Sequence, residues 1–195
     1  MKLNLGSGKT RFEGFTNVDK STFFSPDIVH DLEITPWPFA NDSVDEIILC
    51  HVLEHLGKDS DVFMKIMQEL YRISKHNTCI DIVVPNPFST TYLGDPTHVR
   101  PITPELFMLF DLKQNLEWQK NPNSAHSLFA LEYNVNFEIL CLDLLNVDPT
   151  RNINYNEHIT ESNNLLNITY DIYLEYIKEN RLFDMMRILV RVVKC

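Results

Sequence analysis

Apolar residues come in short blocks along this chain, and the spacing of the blocks changes from strand-like to helical. Lys2-Leu3-Asn4-Leu5 reads as a strand and runs straight into Gly6-Ser7-Gly8. Phe15-Thr16-Asn17-Val18, closed by Asp19, reads as a second strand, and Asp27-Ile28-Val29-His30 as a third. Val44 to Cys50 is a fourth; its Ile47-Ile48-Leu49 centre is the continuous apolar run of a parallel strand covered on both sides. Between the last two, Pro36-Trp37-Pro38-Phe39 within Ile34 to Asp42 forces a loop. From Asp61 to Ile73 the period becomes helical. Val62, Phe63, Ile66, Met67, Leu70 and Ile73 make one stripe, with Asp59 or Ser60 as the cap.

Cys79 to Val84 predicts a fifth strand stopped by Pro85. Thr103 and Pro104 then announce a helix continuing through Leu106 to Leu112. Phe137 to Val147 predicts a later strand, Ile172 to Phe183 a helix and Met186 to Val193 a last strand. The Asn-rich stretch 152–167 fits no element and reads as a mobile insertion. Strands alternating with helices predict one α/β domain over 1–195, with ligands bound beyond the strand ends. Residues 85–134 are then the loop and helix region of a second ligand.

Composition narrows the classes. The chain has 195 residues and is 44% apolar, enough for one domain with a real core. No leader precedes the first strand and no apolar run reaches the roughly 18 residues that cross a bilayer. A cytoplasmic protein without a membrane span is expected. Cys50, Cys79, Cys141 and Cys195 form no C-x-x-C pair; the first three read as buried thiols. Seventeen basic residues against 27 acidic ones, without a basic cluster, argue against a nucleic-acid substrate.

The ordered series Leu3-Asn4-Leu5-Gly6-Ser7-Gly8, Asn17-Val18-Asp19, His30-Asp31-Leu32, Pro36-Trp37-Pro38-Phe39, Ser43-Val44-Asp45 and His51-Val52-Leu53-Glu54-His55-Leu56 resembles the class I S-adenosylmethionine-dependent methyltransferases, in particular their small type 11-like group. The likeness covers Leu3 to about Arg100. It implies a Rossmann-like methyltransferase fold, with a mostly parallel sheet, helices on both faces and a first crossover too short for a full helix. It also implies S-adenosyl-L-methionine as cofactor.

By that resemblance the backbone of Gly6, Ser7 and Gly8 approaches the methionine moiety, beside Asn4, where the family often has an acid. Asp19 takes the ribose hydroxyls, Asp31 and the Leu32 amide the adenine edge, and His51 lies near the reacting centre. Asp45 reads as structural. A short glycine segment without a third glycine counts against the rival NAD.

The stretch after the fifth strand holds the acceptor candidates Asn86, Tyr92, Asp95, His98 and Arg100. Its Asp95-Pro96-Thr97-His98-Val99-Arg100 element resembles one carried by similar family members and implies the active-site mouth. His98 leads as general base, because an unperturbed imidazole titrates near pH 6.5. Arg100 holds an anionic group or clamps Asp95. Glu54 and His55 suggest an acid–base pair, but neighbours on a helix do not face each other. His51, Asp95 and His98 show no ligand-like spacing, so no metal is expected.

The expected reaction is methyl transfer to a small-molecule, saccharide or lipid-linked acceptor. Transfer to RNA or protein and a non-catalytic cofactor-binding protein are the alternatives. The two edges of an open sheet would allow a homodimer.

Overall fold

A computed structural model describes residues 1–145, 166–167, 173–174 and 184–194. Its strands are β1 (Lys2–Leu5), β2 (Thr16–Asp19), β3 (Ile28–Val29), β4 (Val44–Cys50), β5 (Ser74–Pro85), β6 (Phe137–Leu145), β7 (Leu166–Asn167) and β8 (Met185–Val192). They form one sheet in the order β3-β2-β1-β4-β5-β8-β6-β7. The five strands from β3 to β5 are parallel, and β8 runs antiparallel between β5 and β6. The helices are α1 (Ser60–Ile73), α2 (Thr90–Leu93), α3 (Pro104–Met108), α4 (Leu112–Lys120) and α5 (Phe129–Tyr133). A mostly parallel sheet flanked by helices, in this strand order, is the Rossmann-like class I methyltransferase fold.

Alternation sorts the strand residues onto two unlike faces. Leu3, Leu5, Ile47, Leu49, Ile80, Ile82, Ile188 and Val190 point into one continuous core. Phe63, Met67 and Leu70 of α1 and Phe107 of α3 pack into the same core. The other face is polar. Asn4 pairs in register with Asn17 and Ile48, and Ile48 in turn with Asp81. Farther along, Arg187 of β8 donates through Nε and Nη2 to the two carboxylate oxygens of Asp81, both at 2.8 Å, and through Nη1 to Asp143 at 3.3 Å. That bidentate clamp ties β5, β8 and β6 together, and its carboxylates hold the Arg187 pKa up, with Asp81 the main cause.

Several predicted boundaries move. The β1–β2 crossover, residues 6–15, contains turns and no helix, as its length implied. The fifth strand begins at Ser74 because α1 feeds directly into it. The predicted helix from Thr103 breaks after Met108, and α4 and α5 follow as separate short helices. Asn115 makes that break workable: it donates to the Met108 and Leu109 carbonyls and accepts from the Ala130 amide. Cys50, Cys79 and Cys141 form no disulfide among the described residues and are half-buried rather than fully buried. Of the predicted 172–183 helix, residues 173–174 are described and helical; of the predicted 152–167 insertion, 166–167 form β7. The remainder of both, with 146–147 and Cys195, lies outside the described residues.

Candidate functional site

Two clefts open at the carboxyl ends of the parallel strands, where a sheet of this type binds its ligands. The first occupies about 570 Å³ including its mouth, and its walls include Gly6, Asp19, Asp31, Leu32, His51 and Val52. The second occupies about 910 Å³ and is walled by His51, His55, Thr91, Asp95, His98 and Asp184 among others. His51 and His55 belong to both. His51 ends β4 with φ at +52°, a conformation costly for a non-glycine residue that here turns the chain between the clefts.

The first cleft is built by backbone turns locked onto acids. Asp19 Oδ2 accepts from the Gly8 amide and Oδ1 from the Ser21 amide, both at 2.8 Å. Each oxygen keeps a lone pair for a ligand. Gly6 has φ at +64°, and a Cβ there would lie 2.5 Å from Val52 Cγ2. The residue must be glycine for both reasons. Asp31 accepts from the Glu33 amide, and the Leu32 carbonyl accepts from Trp37 Nε1 at 3.0 Å. The Trp37 amide donates to Glu69, which Arg72 also engages. Burial alone would raise the Glu69 pKa, but the Arg72 and Trp37 hydrogen bonds hold it below its ordinary value. The Pro-Trp-Pro loop is therefore the buried brace under the cleft.

Two residues predicted for this cleft lie beneath it. Asn4 is buried and spends its amide on the Thr10 carbonyl and on Asn17 Oδ1, both at 3.0 Å. Ser7 is buried and accepts from Arg11. They shape the glycine turn from below. Gly8 contributes through the bond of its amide to Asp19.

The second cleft is assembled from three distant segments. Leu53 to His55 form a single 3-10 turn rather than an α-helix. Glu54 Oε1 lies 3.9 Å from His55 Nε2 and 3.3 Å from His51 Nδ1. The Glu54 side chain is only 1% exposed, and neither carboxylate oxygen has a hydrogen-bond partner. The loop after β5 supplies the opposite wall. Asp95 accepts from the Thr97 hydroxyl and amide, which hold its carboxyl below the usual range. His98 Nε2 lies 3.8 Å from Asp95, and its ring stacks on Tyr92 with centroids 5.0 Å apart.

Of the predicted acceptor residues, Asp95 and His98 line this cleft. Tyr92 instead backs the His98 ring. Asn86 is buried and accepts from the Phe88 amide. Arg100 does not clamp Asp95; it donates to the Gly57 carbonyl and lies over the Phe63 ring, 4.3 Å from its centroid. Thr91 of α2 adds to the wall, and Asp184 and Met185 join it without a sequence signal, brought there by the β5–β8 pairing. One ligand atom each from Glu54, His55 and His98 fall within 4.8 Å of one another. No helix among the described residues is long and apolar enough to cross a membrane.

No protein-family model matches the sequence, and no curated protein matches it. Solved structures match in fold. A SAM-dependent methyltransferase from Archaeoglobus fulgidus is 18% identical, with a TM-score of 0.55, covering 97% of this chain and 85% of that one. A SAM-dependent methyltransferase from Thermotoga maritima, described as a possible histamine N-methyltransferase, is 12% identical, with a TM-score of 0.58 and coverage of 100% and 81%. The [4+2]-cyclase SpnF is 14% identical, with a TM-score of 0.52 and coverage of 100% and 75%. At these identities the likeness is one of fold.

Proposed function

We propose that the chain is an S-adenosylmethionine-dependent methyltransferase acting on a small-molecule, saccharide or lipid-linked acceptor. The observation that carries this reading is the pair of clefts meeting at His51 and His55, one holding Asp19 and Asp31 beside Gly6, the other holding Asp95 and His98. The first cleft fits the cofactor by its chemistry. Asp19 has its carboxylate fixed by two amides and retains lone pairs for the ribose hydroxyls. Asp31 can accept from an exocyclic amine, and Gly6 lets the chain pass close to a bound ligand. The bound cofactor supplies an electrophilic methyl group on a sulfonium.

The protein's remaining task is alignment and exclusion of water. His51 stands where the two ligands would meet, and His51 and His98 present the imidazoles able to take an acceptor proton. The net charge of -10 supports a small acceptor over RNA. The SpnF match supports one further reading, that a chain of this fold performs a reaction other than methyl transfer.

Calorimetric titration with S-adenosylmethionine and S-adenosylhomocysteine, with NAD as control, tests the proposal. Saturable binding of the first two alone is expected. Binding of NAD, or of none of the three, would overturn it.

A further inference from the structure

We infer that Glu54, His55 and His98 form a binding site for a divalent transition-metal ion of the zinc type, on the acceptor side of His51. The argument is a count of lone pairs. Glu54 is buried, and neither of its oxygens makes a hydrogen bond, His51 Nδ1 being the nearest ring nitrogen at 3.3 Å from Oε1. The Thr97 hydroxyl gives its one proton to Asp95, so its oxygen accepts from His55 Nδ1–H at 2.9 Å. His98 Nδ1–H donates to the Tyr92 carbonyl at 2.8 Å, the only role a carbonyl partner allows. In the neutral imidazoles both Nε2 atoms therefore carry lone pairs. A buried carboxylate and two such nitrogens, their ligand atoms within 4.8 Å of one another and no hydrogen bond joining them, are a donor set for a cation.

The surroundings are those of a metal site. Metal-bound histidines commonly donate their other ring nitrogen to a carbonyl or a carboxylate-linked group, which fixes tautomer and ring orientation. His98 does so through Tyr92, and His55 through Thr97 to Asp95. The Arg100 guanidinium donates to the Gly57 carbonyl and lies over the Phe63 ring. Tetrahedral zinc ligands about 2.1 Å from the ion lie roughly 3.4 Å apart. Ligation would draw the ligand atoms, now within 4.8 Å of one another, in to that separation. Two imidazoles and one carboxylate suit zinc, iron or cobalt better than magnesium.

Three protein ligands leave a coordination position open towards the second cleft. An ion there would bind an acceptor oxygen and lower the pKa of its hydroxyl, with the proton released to solvent. Resting on the methyl-transfer reading, this narrows the acceptor to a hydroxyl-bearing compound, methylated on oxygen.

The test is titration of the tag-free, chelator-stripped full chain with Co(II), read by its visible ligand-field absorption. A saturable band displaced by Zn(II) is expected. Glu54→Gln and His98→Ala should each weaken binding about 100-fold or more while keeping the wild-type circular dichroism. Asp19→Ala should leave the band unchanged, because it lies in the other cleft. No band in the wild type, or a band unaltered in both ligand variants, would overturn the site. A normal band without S-adenosylmethionine binding would instead remove the methyl-transfer reading and leave the metal site standing.

Discussion

The two clefts share His51 but differ in how their polar groups are satisfied. In the first, the acids are already held by backbone amides: Asp19 by Gly8 and Ser21, Asp31 by Glu33. Beside the second, the buried Glu54 carboxylate makes no hydrogen bond, with His51 Nδ1 3.3 Å away, and two imidazoles are held through their Nδ1 atoms. A buried unpaired carboxylate is costly, so its environment must supply a compensating charge. The first cleft is thus ready for a neutral or cationic organic ligand. The second, on the metal-site reading, takes its compensating charge from a bound cation.

The sharpest way to break this comparison is Asp19→Ala. It removes a carboxylate able to make two charge-assisted hydrogen bonds to a ligand, each worth about 1.5–3 kcal/mol. Affinity for S-adenosylmethionine should fall by about 100-fold or more, read by calorimetry. Equal affinity would show that the first cleft is not the cofactor's.

Next is Glu69→Gln, which loosens the Trp37 brace under the first cleft alone. Loss of charge-assisted bonds to Arg72 and Trp37 should cost about 2 kcal/mol in urea unfolding at neutral pH. The folded-state pKa of Glu69 is depressed, so its contribution is full above the ordinary value of about 4.5 and fades as pH falls through the folded pKa. Wild type and variant should therefore converge in acid. A pH-independent difference would assign the loss to packing.

The smallest effect is expected from Thr97→Val, which removes the link between His55 and Asp95 without touching a ligand atom. Co(II) affinity should drop about tenfold with cofactor affinity unchanged. A change in both would mean that the clefts are not separate.

The same contrast explains what could be read from the chain. The first cleft comes from contiguous stretches: Gly6, Asp19, Asp31 and Leu32 each sit at or beside a strand end within the first 32 residues. Asn4 and Ser7 were harder to place. In a parallel strand covered on both sides the alternation does not reveal which face Asn4 takes, and Ser7, in the turn after it, is buried with its hydroxyl accepting from Arg11. The second cleft is legible only in pieces. Asp95 and His98 share one local element, but Asp184 and Met185 arrive because β8 pairs with β5. The approach of Glu54 to His55 rests on side-chain conformation, which the spacing of residues along that stretch does not supply. Helices α4 and α5 went unseen because their apolar positions are too few and too short-ranged to show a period.

The division of labour at His51 is tested most directly by a crystal structure of the full chain with S-adenosylhomocysteine and Co(II), the metal located by its anomalous scattering. The account predicts the adenosyl group against Asp19 and Asp31, and the metal peak among Glu54, His55 and His98. A nucleoside bound in the His98 cleft, or a metal peak away from those three side chains, would contradict it.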